Sequence, residues 1–426
     1  MLRFVYSLTI YLLQPLILLF MLVRSFKSPN YRKRINERYG FYYGLTAPQP
    51  NGIIIHAASV GEVIAATPLV RRIKQCYPDL PITMTTVTPT GSDRVKAAFN
   101  DSVTHVYLPY DLPGALNRFI DFIQPKACIV IETEIWPNLI RQLHKRNIPF
   151  IIANARLSAR SAKRYGWIKH KLKNMFNEIS LIAPQDDISG QRYLQLGYKG
   201  HLQLTGNIKY DLIITDELSQ EINALHQQWI SAHNRLVWIA ASTHEGEEKT
   251  ILQAHRILLE KYPNLLLILV PRHPERFNAV AELITKSAFS YCRRTDNITP
   301  GVDIQVVLGD TMGELMLMYG ISDIAFVGGS LVKLGGHNPL EPLAFKIPVI
   351  SGKYTFNFPE VFMKLREVQG VLEVNENSQA ISIAVEKLLN SQTLRERYGS
   401  AGYEVLIENR GALQRLFDLL RPYLEK

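Results

Sequence analysis

Short apolar runs alternate with stretches of helical spacing along the first half of the chain. The runs begin near residues 52, 82, 105, 128, 150 and 180 and read GIIIHAAS, ITMTTVT, HVYLP, CIVIE, FIIANA and SLIAPQ. β-Branched residues dominate several of them, which is typical of strands buried on both faces of a parallel sheet. The alternation therefore predicts a doubly wound, Rossmann-like α/β domain over residues 28–210.

The same alternation begins again in the second half. Runs near residues 235, 265, 304, 324 and 347 read RLVWIAAS, LLLILVPRHP, IQVVLGD, IAFVGGS and IPVISG. They predict a second Rossmann-like domain over residues 235–400, with a ligand at the strand ends where the two domains face a cleft. The polar stretch over 211–234 indicates a linker, and the tail over 401–426 is predicted to be helical.

An uncharged apolar segment lies near the start of the chain, from Phe4 to Val23. It has about the length needed to span a bilayer core, and no small-residue cleavage site follows, so it indicates a membrane anchor over residues 1–27. Basic residues follow it closely, which favours a cytoplasmic body. Gln14 and Pro15 weaken the span, so a helix lying in the membrane interface remains a second interpretation.

Positive charge is concentrated in the first half of the chain. The net charge is +10, but residues 1–210 carry 27 Lys and Arg against 12 Asp and Glu, whereas the remainder carries 21 against 26. Two basic clusters stand out: Arg24, Lys27, Arg32, Lys33, Arg34 and Arg38, and then Arg156, Arg160, Lys163, Arg164, Lys169, Lys171 and Lys173. They form solvated faces or meet an anionic partner, and the apolar segment favours a lipid or phosphorylated substrate over nucleic acid.

Several ligand signatures are missing from the sequence. Neither GxGxxG nor GxxxxGK[ST] occurs, which disfavours nicotinamide or flavin enzymes and P-loop NTPases. HExxH, DxD and paired CxxC do not occur either, so neither a metal site nor a cofactor is expected. The three cysteines, Cys76, Cys128 and Cys292, indicate a reducing compartment and are each expected to be buried as small hydrophobic residues.

A carboxylate follows the first predicted strand in IIIHAASVGEVIAA, at Glu62. One interpretation is that Glu62 complements the dipole of a helix in its first turn. The other is that Glu62 lies at the carboxyl edge of a parallel sheet, where α/β proteins bind ligands. Glu132 and Glu134 follow the strand CIVIE and either face the same cleft or cap a helix. His56 is expected to pack within its strand.

Four polar clusters follow predicted strands of the second half. They are STHEGE at 242–247, PRHP at 271–274, GDTMGE at 309–314 and GGSLVKLGGHNPLEP at 328–342. In the last, Gly335 and Gly336 let the backbone approach a ligand, and HNPLEP is predicted to open a helix whose N–H groups suit a phosphate. Arg272 can pair with that phosphate, and Glu341 can accept hydrogen bonds from ribose.

These motifs resemble, over essentially the whole chain, the bacterial 3-deoxy-D-manno-octulosonic acid (Kdo) transferases of lipopolysaccharide synthesis, which are GT-B glycosyltransferases. The similarity is carried by SVGE (59–62), TVTPTGSDRV (86–95), ETEIWPNLI (132–140), NARLSARS (154–161), VPRHPERF (270–277), GDTMGEL (309–315), FVGGSLV (326–332) and GGHNPLEP (335–342). The resemblance implies a GT-B fold, a bacterial inner-membrane anchor with the body on the cytoplasmic side, CMP-Kdo as donor and lipid IVA, the lipid A precursor, as acceptor.

The resemblance also assigns site residues. It implies that Glu62 is the catalytic base and that CMP contacts fall on Pro271, Arg272, Met312, Gly313, Glu314, Asn338, Pro339, Leu340 and Glu341. Glu132, Glu134, Arg156 and Arg160 are expected as acceptor or supporting contacts. The main alternative within enzymes is another membrane-associated GT-B transferase with a different nucleotide sugar, and outside enzymes a membrane-tethered nucleotide-sugar sensor, which has no need of a base at Glu62.

Overall fold

The apolar runs of the first half form one fully parallel sheet in a computed structural model that describes residues 2–167 and 169–425. Its strands are β1 Ile53–His56, β2 Ile82–Thr86, β3 Thr104–Tyr107, β4 Ala127–Ile131, β5 Phe150–Ala155, β6 Leu181–Pro184 and β7 His201–Leu202. Their order is β3-β2-β1-β4-β5-β6-β7. The six predicted strands are confirmed, and the two-residue β7 was not predicted.

Helices cover both faces of this first sheet. They are α1 Leu2–Lys27, α2 Val60–Cys76, α3 Pro89–Phe99, α4 Pro113–Ile123, α5 Pro137–Lys145, α6 Ala159–Trp167, α7 Lys169–Phe176 and α8 Asp187–Gln195. Alternate residues of β1 show the two-faced burial, because Ile53 and Ile55 belong to one hydrophobic core and Ile54 to the other. This explains why β1 reads as an unbroken apolar run rather than an alternating one.

The second half forms another parallel sheet. Its strands are β8 Val237–Thr243, β9 Leu266–Pro271, β10 Tyr291–Arg293, β11 Val306–Leu308, β12 Ile324–Val327, β13 Val349–Gly352 and β14 Val371–Val374. Their order is β10-β11-β9-β8-β12-β13-β14. The expected fold class, two Rossmann-like α/β domains, is therefore confirmed, and β10 and β14 add two edge strands.

The remaining helices divide between the two units of the chain. They are α9 Asp216–Trp229, α10 Glu247–Leu259, α11 Phe277–Lys286, α12 Leu315–Gly320, α13 Leu340–Leu343, α14 Pro359–Glu367, α15 Ser378–Leu389, α16 Gln392–Glu408 and α17 Ala412–Leu424. The first unit comprises the chain up to Asp211 together with residues from Arg410 onward, and the second comprises Leu212–Asn409. Instead of a bare linker, the stretch 211–234 contains α9, whose Leu225 and Trp229 enter a core of the second unit.

The C-terminal helix α17 belongs to the first unit. Its buried side chains join the core formed by one face of the first sheet, and they are Ala412, Leu416, Phe417, Leu420 and Leu424. The carboxylate of Asp211 accepts hydrogen bonds from the backbone N–H groups of Gly411 and Leu413, each at 2.6 Å. The chain thus leaves the first unit after Asp211 and returns to it at Arg410, one residue before Gly411.

The N-terminal helix α1 packs along the first unit by one face. The less exposed positions of the helix recur every three or four residues and are Arg3, Tyr6, Ser7, Ile10, Gln14, Ile17, Met21 and Ser25. Polar bonds join this stripe to the domain: Tyr6 to Asp111, Ser7 to Asn138, Gln14 to Tyr39, and Arg3 to Glu178 in an ion pair. The other faces expose Phe4, Leu12, Leu16 and Phe20.

Cysteine placement matches the expectation at two positions out of three. Cys128 and Cys292 are buried, but Cys76 is exposed because it ends α2 at the solvent side. Met1, Ile168 and Lys426 lie outside the described residues, as do the side chains of Leu2, Lys27, His170, Lys171 and Ala232. The parts of the predicted anchor and basic clusters that involve Lys27 and Lys171 therefore have no described side chain.

Candidate active site

Glu62 lies at the topological switch point of the first sheet. Strand order reverses between the neighbours β1 and β4, and such a reversal opens a crevice at the carboxyl ends of the strands. Glu62 occupies the first turn of α2, directly after β1, while Glu132 and Glu134 follow β4. The structure thus brings all three predicted carboxylates to one crevice.

The Glu62 carboxylate is held by its own helix terminus. One oxygen accepts from the N–H of Ala58 at 2.7 Å and the other from the hydroxyl of Ser59 at 3.2 Å, while Ser59 caps α2. Glu62 therefore lies in the first turn of α2, where its charge complements the helix dipole as in the first interpretation, and it also lies at the edge that the second interpretation requires. Burial, and then the nearby charge of Glu132, raise the pKa of Glu62 to about 7. A carboxylate with this pKa can take up a proton near neutral pH.

Glu132 and Glu134 have different partners. Glu132 adopts a left-handed backbone, with φ of 67°, and its carboxylate forms an ion pair at 2.6 Å with the ammonium of Lys209. Glu134 accepts a hydrogen bond from the indole N–H of Trp136 at 2.7 Å. Burial raises the pKa of Glu134, and Glu132 raises it further. The crevice therefore combines three carboxylates with a cation.

Lys209 was missed in the sequence, where it lies after the last predicted strand of the first domain. Its backbone is fixed because Asn207 accepts from the N–H of Lys209 at 3.0 Å and Asn154 accepts from the N–H of Ile208 at 3.1 Å. Ile208 is itself buried in the first unit's core. The sequence offered only an apolar residue, Ile208, directly before this lysine.

The other candidates of the first unit are less closely involved. His56 is fully buried and hydrogen-bonded to Thr85, and burial lowers its pKa to about 4, so it packs within its strand as expected. Arg156 is half-buried in the loop after β5, whereas Arg160 is exposed on α6. Arg160 is therefore a surface residue, whereas Arg156 is partly enclosed.

The four polar clusters of the second half follow four neighbouring strands. The strands are β11, β9, β8 and β12, in that spatial order, and all of them are parallel. Their carboxyl ends share one edge of the second sheet, so the clusters predicted as donor site meet there. The order reverses between β8 and β12, which makes this edge a second switch point.

Two of the predicted nucleotide contacts lie where β9 ends. Pro271 is the last residue of β9, and the N–H of Arg272 donates to the carbonyl of Thr243 at 3.0 Å, which joins the β9 and β8 turns. Within the described residues, Arg276 is paired with Glu248, but no carboxylate lies within ion-pair distance of Arg272. Arg272 is therefore the cation best placed to meet an anion.

The turn after β11 presents backbone rather than side-chain groups. Met312 is exposed and Gly313 has a φ of 94°, which favours glycine. The Glu314 carboxylate accepts hydrogen bonds from Nε and Nη2 of Arg294, at 3.1 and 3.0 Å. Glu314 therefore shapes this turn through Arg294.

The helix predicted to open in HNPLEP is a single turn. α13 spans only four residues, Leu340–Leu343, and its N-cap is Pro339. The N–H of Leu340 already donates to the Asn338 side chain at 3.2 Å, and Asn338 donates to Glu341 at 3.2 Å. A helix thus begins within HNPLEP as predicted, but one turn aligns few peptides and the N–H of Leu340 is already used, so its dipole contributes little to phosphate binding.

No metal-binding group emerges in the described part of the chain. Within residues 2–167 and 169–425, no set of three His, Cys, Asp or Glu side chains is placed to hold a metal ion.

Family models match both halves of the chain. Residues 33–212 match the family described as 3-Deoxy-D-manno-octulosonic-acid transferase (kdotransferase), and residues 234–405 match Glycosyl transferases group 1. The resemblance noted in the sequence motifs is therefore confirmed on independent grounds.

Curated relatives match over the full length. The 3-deoxy-D-manno-octulosonic acid transferase of Haemophilus influenzae is 66% identical and covers 100% of this chain and 99% of its own. That of Bordetella pertussis is 33% identical and covers 99% of each chain.

A solved structure supports the fold alone. UDP-GlcNAc 2-epimerase from Neisseria meningitidis superposes with a TM-score of 0.57 at 15% identity, covering 88% of this chain and 99% of that one. The two doubly wound domains are thus of the GT-B type, and the full-length sequence matches establish that the chain belongs to the 3-deoxy-D-manno-octulosonic acid (Kdo) transferases.

Proposed function

We propose that this Kdo transferase moves Kdo from CMP-Kdo to lipid IVA, with Glu62 as general base. The observation that carries the proposal is the Glu62 carboxylate, which is fixed at the first switch point with its pKa raised to about 7. A base is most effective when its pKa lies near the working pH, and a positioned one contributes roughly 10²- to 10⁴-fold in rate.

The reaction forms one bond and breaks one. A hydroxyl of the acceptor attacks the anomeric carbon of Kdo and passes its proton to Glu62, while the bond from that carbon to the phosphate oxygen breaks and CMP leaves. Negative charge gathers on the phosphate during this step. The guanidinium of Arg272, with no ion-pair partner among the described residues, would stabilise that charge.

The donor would lie against the edge of the second sheet. Pro271 and Arg272, the turn of Met312 to Glu314, and the segment Asn338 to Glu341 all follow neighbouring strands and would hold CMP. Asn338 and Glu341 offer side-chain oxygens and an amide suited to ribose and base. The hydrogen bond between the Asn338 and Glu341 side chains would either break when the nucleotide binds or hold the two side chains in position for it.

The acceptor would meet the basic first unit. Lipid IVA carries two phosphates, and Arg160, Lys163 and Arg164 are exposed on α6, next to a Trp167 that is 81% exposed. Basic and aromatic side chains together suit the headgroup layer of an anionic membrane. Arg156, Glu134 and the Lys209–Glu132 pair would orient the acceptor hydroxyl near Glu62.

A direct assay tests this function. Detergent-solubilised protein is incubated with lipid IVA and freshly generated CMP-Kdo, and the lipid products are separated by thin-layer chromatography. Kdo-bearing lipid is the expected product, and the number of bands counts the sugars added. If the protein binds CMP but modifies no lipid IVA, the proposed acceptor is wrong.

The pH profile of kcat/KM should report the ionisation of Glu62. Only the ionised carboxylate accepts a proton, so kcat/KM should fall about tenfold per pH unit below about 7 and level off above it. Initial rates measured between pH 5.5 and 9 at subsaturating acceptor would show this limb.

The Glu132→Gln variant tests whether the acid limb of this pH profile arises from the enzyme or from the substrate. Because the Glu132 charge raises the pKa of Glu62, its removal should shift the acid limb to lower pH. A limb that arises from the phosphates of the acceptor would stay in place, which would contradict the assignment of the limb to Glu62.

The N-terminal helix would lie along the membrane surface rather than across it. It is long and apolar enough to cross a bilayer, about 39 Å for 26 residues. Its inward stripe, however, contacts the first unit from Arg3 to Ser25, so the whole helix lies beside the domain. The exposed apolar faces would then enter the membrane interface, as in the second interpretation of the sequence.

Depth measurements distinguish the two placements. Single cysteines at Leu8, Leu12 and Leu19, made in a Cys76→Ser background and labelled with a fluorophore, are quenched by lipids brominated at known depths. A surface helix should place all three labels about 5–10 Å below the headgroup boundary. A label at position 12 near the bilayer centre, deeper than its neighbours, would show that the helix crosses.

A further inference from the structure

Three imidazoles that the mechanism above does not use lie together at the second switch point. His244 follows β8, His273 follows β9 and His337 precedes α13. The rings of His244 and His337 are nearly parallel, with centroids 5.0 Å apart, and the ring of His273 meets His244 edge-on at 5.2 Å. Three separate loops thus converge on one cluster.

A hydrogen bond joins the two facing nitrogens of His244 and His337. Their Nε2 atoms are 2.7 Å apart, so one must donate and the other accept. In the neutral pair, the ring that accepts this bond carries its own proton on Nδ1, so one N–H donor lies outside the bond. The pair can therefore offer one N–H group to an anion without losing its internal bond.

A buried carboxylate fixes the loops that carry the pair. One oxygen of Glu247 accepts from the N–H groups of His244 at 2.9 Å and Gly329 at 2.7 Å, and the other accepts from those of Ser330 and Leu331. Glu247 thus joins the loops after β8 and β12. A Cβ on Gly329 would lie 3.1 Å from the His337 ring, so glycine leaves the room that this ring occupies.

The surroundings of the pair favour an anion. Burial lowers the pKa of His337 to about 3, and Arg272 is the strongest charge acting on it; burial lowers the pKa of His244 to about 4, with His273 and Arg272 next. Arg276 also acts on His244 but is neutralised by Glu248, and Glu247 faces the backbone rather than the rings. The pair is therefore neutral, keeps one N–H for an anion and lies beside a cation.

We propose that His244 and His337 bind the carboxylate of the donor sugar, an inference that rests on the proposed function. In a nucleotide-linked 2-ulosonic acid, the anomeric carbon carries both the phosphate oxygen and the carboxylate. The two anionic groups are separated by that single carbon, so a phosphate at Arg272 brings the carboxylate to the adjacent imidazoles. An aldose nucleotide has no such carboxylate, so the pair would also select the sugar.

The test compares CMP with CMP-Kdo in two variants. His337→Gln and His244→Gln should raise the KM for CMP-Kdo about 10- to 100-fold, the cost of losing a hydrogen bond to a charged group. The Kd for CMP, measured by calorimetry, should change less than about threefold, which also shows that the donor domain is folded. His226→Gln, on an exposed position of α9, is the matched control and should keep both values.

The outcomes separate the inference from the function on which it rests. If wild-type protein makes no product from CMP-Kdo, the proposed function fails. If wild type is active and both variants keep its KM for CMP-Kdo, the carboxylate assignment fails alone. An equal loss of CMP and CMP-Kdo binding would show that the imidazoles meet the phosphate, and this result also overturns the assignment.

Discussion

Replacing Glu62 with glutamine is expected to lower kcat about 10²- to 10⁴-fold. Glutamine cannot take up the proton of the acceptor hydroxyl, yet its carbonyl can still accept from the N–H of Ala58 and preserve the cap of α2. The variant should therefore retain its folded structure. Single-turnover rates with CMP-Kdo and lipid IVA measure the effect.

Two controls identify the cause of that loss. CMP should raise the thermal unfolding temperature of Glu62→Gln as much as that of wild type, and Glu282→Gln, at a solvent-exposed glutamate, should keep full activity. If Glu62→Gln stays within about threefold of wild type, Glu62 serves only as a helix cap, and the base is to be sought at Glu132 or Glu134.

Replacing Phe417 with alanine is expected to destabilise the first unit by about 3–5 kcal/mol. Phe417 is fully buried in the core beneath one face of the first sheet, beside Tyr77, with ring centroids 6.2 Å apart. Alanine would leave a cavity there. Denaturant unfolding followed by circular dichroism should show the loss in one of two transitions, because the chain has two units.

An exposed neighbour on the same helix provides the comparison. Gln414→Ala should change the free energy of unfolding by no more than about 0.5 kcal/mol. If Phe417→Ala unfolds at the same denaturant concentration as Gln414→Ala, then α17 does not complete the core of the first unit.

Long apolar runs made the central strands predictable, whereas three of the four edge strands, β7, β10 and β14, were not predicted. β1 and β4 are buried on both faces, so their sequences are continuously apolar. β7 has only two residues and β14 is partly exposed, so neither produces a comparable pattern. Helix α17 belongs to the first unit because its apolar face packs into that unit's core. The spacing of apolar residues predicts the helix but does not indicate which of the two units it joins.

The candidate site was predictable where a residue's position relative to a strand defines its role. Glu62 stood out because a carboxylate directly after a buried strand lies at a ligand-binding edge. Lys209 did not, since its importance depends on the Glu132 side chain, 77 positions earlier in the chain. The imidazole pair was equally hidden, because His244 and His337 come from loops that only the sheet topology makes neighbours.

The return of the chain to the first unit sets an order in which the protein can be completed during translation. The ribosome finishes the second unit before it releases α17, so the second unit can fold while the first still lacks part of its core. The first unit, which contains α1 and Glu62, is then the last to complete its hydrophobic core, although its synthesis begins first. Premature termination near Arg410 would therefore leave a finished second unit joined to a first unit whose core is incomplete.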